Sequence, residues 1–316
     1  MIEKILSKNI YLPFSYLEKV KRVGENYTRR IVFEDDLPIL LFAFSWQATH
    51  PILHGLGIFC LLVSFWCVYE LGYYENDYVA EKYEQQPKLS ITYNIYKQMM
   101  KTKYPWLWSL IFGLCGVAIL QKSLVEQSEI TASFLKYSFT SFHPLLLFCC
   151  WSGLLVSVRV CFRIYNYFNK ATRTWVYMVL QFFRYYGFVV VTPTNLIGTS
   201  LLCSNILTRS ILYITYRYCG GSVGNWPERV PKKLFRWLIF ILILVTLSIG
   251  LSSLELWQSW QTWAIFIWCL IQGKGQIIKA LAQAKPVFTD GSNLVQQADD
   301  SPKEVKMHCN GKQSIT

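Results

Sequence analysis

Charged side chains are scarce in this chain. Asp, Glu, Lys and Arg make up 16% of its 316 residues, against about 25% in an ordinary soluble domain. Acids are scarcer than bases, 19 against 31, and the long apolar runs beyond residue 100 contain no Asp or Glu; Glu255 falls in the short link between the last two. That absence places an ion-coupled transporter last among the candidate functions, because such proteins carry carboxylates at mid-membrane. The ten cysteines form no CxxC pair and nearly all sit inside apolar runs, where cysteine acts as a small hydrophobe. Neither a zinc site nor a disulfide framework is expected, and His308-Cys309 is a two-ligand fragment of low specificity. No internal repeat is visible. The first forty residues lack an apolar core, so no cleavable signal peptide is expected.

What is abundant is apolar: 53% of residues are hydrophobic, and the mean hydropathy is +0.27. Eight runs suggest membrane helices, at 37–50, 52–74, 104–120, 142–158, 175–191, 195–216, 234–252 and 257–271. The first is short for a span, which takes about 20 residues. The fold class expected is an all-α, multi-pass transmembrane bundle of about eight spans. Residues 1–36 read as an amphiphilic arm, with Ile5, Ile10, Leu12, Phe14, Leu17 and Val20 on a short helix in the membrane interface. The membrane domain then covers 37–281, and 282–316 reads as a disordered polar tail.

The net charge of +12 is explained by basic residues beside these runs, so no nucleic-acid partner is expected. With alternate loops assigned to one side, 27 of the 31 Lys and Arg residues share the side of the N-terminus. Only Lys122 and Lys136 fall opposite, and Arg184 and Arg209 lie within spans. The positive-inside rule then places both termini in the cytosol, in a protein of the cell membrane.

The most informative stretch is Tyr69–Glu84, where the second run leaves the hydrocarbon. Continued as a helix at 100° per residue, it brings Glu70, Tyr73, Asp77, Glu81 and Glu84 into a sector roughly 80° wide. Carboxylates so placed suit a divalent cation carrying a phosphate or diphosphate; the plain alternative is a solvated acidic face. Asn76-Asp77 after a membrane helix resembles the first Asp-rich motif, NDxxDxxxD, of the UbiA-type membrane prenyltransferases. Asn76 and Asp77 match, Glu84 replaces the last acid conservatively, and Ala80 stands at the middle acidic position with Glu81 one residue on. The resemblance implies a UbiA-like bundle, which in that family usually has nine spans, and magnesium held by Asn76, Asp77, Glu81 and Glu84 with Glu70 and Tyr73 in support. It also implies an isoprenoid diphosphate whose prenyl group passes to an acceptor. The family's second motif, DxxxD, is missing: the corresponding stretch, Arg217–Arg229, contains no Asp and only Glu228.

Basic residues offer the complement. Arg159, Arg163, Lys170 and Arg173 share one face if their segment is helical, and Arg forks match phosphate oxygens. Arg184 lies near the middle of an apolar run, where an unpaired charge costs roughly 2.5–3.5 kcal/mol, and is expected to face into the bundle. Arg209 occupies a second polar seam with Asn205 and Thr208. Two functions follow: a magnesium-dependent prenyltransferase, or a non-catalytic relative binding a polyprenyl phosphate or other lipid as carrier, flippase-like component or scaffold.

Overall fold

The computed structural model describes residues 11–85, 87, 89–99, 101–123, 144–169, 172–218 and 231–283. They are mostly helical, with no strand among them. Contacts divide the chain into two units, Met1–Lys274 and Gly275–Thr316. In the second, the described residues continue the last helix to Gln283; the rest of the expected tail lies outside the described residues.

Among the described residues six helices are long and apolar enough to cross a membrane: α2 (Pro51–Tyr83), α4 (Lys103–Lys122), α5 (Pro144–Tyr167), α7 (Leu196–Tyr218), α8 (Lys232–Leu251) and α9 (Trp260–Gln283). Between α2 and α4 lies the short α3 (Tyr93–Met99). The other two expected spans are shorter. Residues 28–45 form α1, an α-helical turn at Leu37–Leu40 between segments wound with hydrogen bonds five residues back. α6 (Arg173–Tyr186) has 14 residues and ends in the tight turn Gly187–Val190. Both carry the charges described below, which shorten their uninterrupted apolar stretch.

α2 is the central helix. In its most apolar window 78% of residues are buried, against 17% for α9. The outer helices instead expose Leu107, Leu114, Val156, Val160, Leu242 and Ile267, a surface suited to lipid. α2 meets α4 through glycines. A Cβ on Gly57 would lie 3.2 Å from the Gly116 carbonyl, and one on Gly116 would lie 3.0 Å from the Gly57 carbonyl. Such small residues let helix backbones approach closely. Gly116→Val is therefore expected to destabilise the bundle by about 1–3 kcal/mol, read as a lower unfolding temperature in detergent. An unchanged temperature would show that this contact has slack.

Side chains tie the irregular segment between α6 and α7 to the neighbouring helices, and the last carbonyls of α1 find donors there and on α9. Thr194 Oγ1 donates to the Ala43 carbonyl at 2.6 Å, and Gln261 Nε2 to that of Phe42 at 2.7 Å. Asn195 Nδ2 donates to Gln261 Oε1 at 2.6 Å while its Oδ1 accepts from Gly198 N–H at 2.7 Å, capping α7. His54 joins Ser45 to Thr192 through its two ring nitrogens, each at 3.0 Å. Beside this region an apolar groove of about 740 Å³ runs between α1 and the start of α2, lined by Leu37, Leu41, Phe42, Trp46, Ile52 and Phe59.

Candidate functional site

Two polar layers surround the lower half of α2. The first is the acidic face read from the sequence. α2 does continue as a helix to Tyr83, but its acids are already engaged. Fully buried Glu70 accepts from the backbone N–H of Phe14 at 2.9 Å and of Leu17 at 2.8 Å, and from the Tyr11 hydroxyl. Asp77 accepts from the Tyr16 hydroxyl at 2.8 Å and pairs with Lys21. The donors all come from the N-terminal arm, whose described part holds a short helix at Leu17–Lys21 and packs on the bundle, while Ile5 and Ile10 lie outside the described residues: Leu17 and Val20 are buried, and Tyr16, Val20 and Tyr93 make a small apolar cluster of their own. Burial first, then the Asp77 charge, pushes the Tyr16 hydroxyl upward from its ordinary pKa, so it stays a neutral donor. Phe14 sits at φ 68°, a strained conformation for a non-glycine residue, with its N–H on Glu70.

The remaining motif residues diverge. Glu81 pairs with Lys97 at 2.6 Å and accepts from Tyr93 at 3.1 Å; its hydrogen bond is the main cause of the raised Lys97 pKa. Glu84 is exposed past the helix end, Asn76 is half-buried, and Tyr73 packs edge-on to Tyr69 with ring centroids 5.4 Å apart. Glu75, off the predicted sector, is buried instead: Arg159 lies 2.7 Å away, Asn166 3.4 Å and Arg163 3.7 Å. Among the described residues no three His, Cys, Asp or Glu side chains gather as metal ligands. In this arrangement Asn76, Asp77, Glu81 and Glu84 do not fit a magnesium site, because Asp77 and Glu81 are held by different internal cations.

The basic stripe divides likewise. Arg159 and Arg163 serve Glu75, and Lys170 lies outside the described residues. Arg173 caps the end of α5, donating to the carbonyls of Phe168 and Asn166, each at 2.9 Å. α5 ends at Tyr167 and α6 begins at Arg173, so Arg173 lies on a different helix from Arg159 and Arg163.

The second layer was not foreseen as a unit. Asp35 and Asp36, 5% and 0% exposed, project from α1 into the bundle. Arg184 donates to Asp36 Oδ2 from Nη2 at 2.6 Å and from Nε at 3.1 Å, and the Tyr185 hydroxyl donates to Asp36 Oδ1 at 2.6 Å. Arg209 reaches Asp35 at 2.5 Å and Asp36 at 3.3 Å. Lys232 lies 3.1 Å from Asp35, and Arg236 completes the set with a close pair to Asp35. Asp35 is outside the six apolar helices. Burial opposes its charge, but Lys232, Arg236 and Arg209 outweigh that and hold its pKa well below the ordinary range. Aromatic faces complete the shell: Arg184 lies 4.7 Å from the Trp66 ring centroid and 5.5 Å from that of Tyr69, and Arg236 lies 4.6 Å from that of Trp268. Arg184 thus faces inward as expected from its cost in lipid, with Arg209 in the same cluster; Asp35, Asp36, Tyr185, Lys232 and Arg236 were missed. The available signal was the Asp35-Asp36 pair set directly against an apolar run, with unpaired arginines further along. The apolar, multi-pass character is therefore matched by helix lengths and exposed surface; compared with family models, curated proteins and solved structures, the chain matches none of them.

Proposed function

We propose that this chain is an integral membrane protein that holds a phosphorylated isoprenoid without transferring its prenyl group. The observation that carries the reading is the engagement of Glu70 and Asp77 by the chain's own arm: the face that resembles a diphosphate-metal site serves as internal structure. The resemblance supplies the ligand class. The apolar groove, which begins at Leu37 beside Asp36, supports it with room for a hydrocarbon chain. Binding then depends on burying the chain and holding the phosphate, with no bond broken. The basic surplus at one set of helix ends supports a cytosolic location for both termini and for the end of α2. A cysteine placed at Glu84 in a cysteine-free background should react with an impermeant thiol reagent only after the cells are opened; labelling of intact cells would reverse the orientation.

The main test is lipid extraction from the detergent-purified protein and mass spectrometry. An isoprenoid phosphate at near-stoichiometric level is expected, with no prenylated product when a prenyl diphosphate, magnesium and an aromatic acceptor are added. Absence of any isoprenoid phosphate would overturn the reading. Product formation would favour the second one, a prenyltransferase, for which the side-by-side Asn76 and Asp77 at the end of a membrane helix speak. That reading requires the arm to leave Asp77 before magnesium could reach it.

A further inference from the structure

The carboxylates of the second layer are outnumbered. Among the described residues Arg184, Arg209, Lys232 and Arg236 surround only Asp35 and Asp36, so two positive charges have no carboxylate there to balance them. The uncompensated side also shows unused donors. Arg209 Nε, Arg236 Nε and Nη2, and Asn205 Nδ2 are buried and meet no hydrogen-bond acceptor. Arg209, Arg236 and Asn205 are 8%, 1% and 0% exposed. Unpaired donors on buried charged groups are costly, and native interiors seldom leave several together.

The donors also converge. Asn205 and Arg209 stand one turn apart on α7, and Arg236 reaches across from α8, its Nη1 3.5 Å from Asn205 Oδ1. The Arg236 guanidinium carbon lies 4.6 Å from the Trp268 ring centroid. Its other polar neighbour is the Cys269 thiol, a weak acceptor at most. Two spare charges and four donor nitrogens describe the complement of a dianion whose oxygens accept. We propose that Arg209, Arg236 and Asn205 form a binding site for a phosphate group, reached from the start of α8, where the Lys232 side chain is 30% exposed. Phosphate supplies the two charges and the oxygens that Arg forks match. The inference deepens the carrier reading by naming its headgroup site, but rests on it only for what is attached to the phosphate.

The experiment uses the full chain in detergent, washed free of lipid, with inorganic phosphate and a soluble short-chain phosphatidate as probes. Thermal unfolding is followed against rising probe with ionic strength held constant by sodium chloride, which removes general screening. Saturable stabilisation is expected in the wild type and in Arg29→Gln, an exposed site elsewhere. Apparent affinity should fall at least tenfold in Arg236→Gln and in Asn205→Leu. Asn205→Leu leaves every ion pair intact and decides the matter if Arg236→Gln fails to fold. Response to both probes marks a general phosphate site; response to phosphatidate alone marks a lipid headgroup site. No saturable response to either probe, or equal affinities in wild type and folded variants, overturns the proposal. Phosphate binding in a protein that yields no isoprenoid removes the carrier reading but leaves the site. An isoprenoid phosphate that co-purifies undiminished with both variants does the reverse.

Discussion

Asp36→Leu is expected to prevent normal accumulation of folded protein. Asp36 is fully buried and accepts two bonds from Arg184 and one from Tyr185. Removing it leaves Arg184 charged, 2% exposed and without its carboxylate. Breaking a buried pair from one side typically costs about 3–5 kcal/mol, chiefly for the abandoned charge, while whole domains are stable by only about 5–15 kcal/mol. Stacking of Arg184 on Trp66 and Tyr69 offsets little of this, because an aromatic face contributes roughly 0.5–2 kcal/mol. Arg184→Leu alone should also destabilise, leaving Asp36 with Tyr185 and the longer contact to Arg209. The double variant Asp36→Leu with Arg184→Leu should recover much of the loss, since both charges leave together. Yield of monodisperse protein and unfolding temperature measure all three. A single Asp36→Leu with wild-type values would show that the pair is not a structural keystone.

This pair also shows where sequence reading succeeds and stops. Arg184 announced itself because a guanidinium in an apolar run must find a partner or a wet cavity, and it is buried among aromatics as that cost requires. Asp36 gave no comparable signal: it precedes an apolar run and reads as the polar flank of a membrane helix. Only tertiary packing, across a separation of 148 positions, makes the two one feature. The same limit explains the acidic face. Helical spacing correctly carried α2 onward to Tyr83, and Glu70 and Asp77 are both inward-facing. Periodicity says which residues share a side but not what covers that side, and the cover here is a strained arm with little regular structure. The two shorter helices show a related limit: composition registers their apolar content but carries no sign of the wide turns of α1 or of the end of α6 at Tyr186.

Glu70→Leu is expected to free the arm while the bundle stays folded. Glu70 is the acceptor for the backbone of Phe14 and Leu17 and for the Tyr11 hydroxyl. Without it those donors are better served by water, so the arm detaches rather than remaining docked with unpaired groups. The positive φ of Phe14 adds about 1–3 kcal/mol of strain that only the docked state must bear. Lys19 and Arg22 are exposed in the chain, but a helical or packed backbone resists cleavage until it opens. Trypsin should therefore cut after Lys19, Lys21 or Arg22 more than tenfold faster in Glu70→Leu than in wild type, with mass spectrometry locating the cuts. Asp77→Asn should be milder: it weakens the Lys21 pair but keeps an acceptor for Tyr16. Equal cleavage rates in wild type and Glu70→Leu would show that the arm is held by its apolar contacts alone. The assay also separates the two functional readings. If Asp77 receives magnesium and a prenyl diphosphate, adding both must displace Tyr16 and Lys21 and accelerate cleavage of the wild-type arm. If the chain only holds a phosphorylated lipid at the arginine cluster, the arm remains docked and the rate does not change.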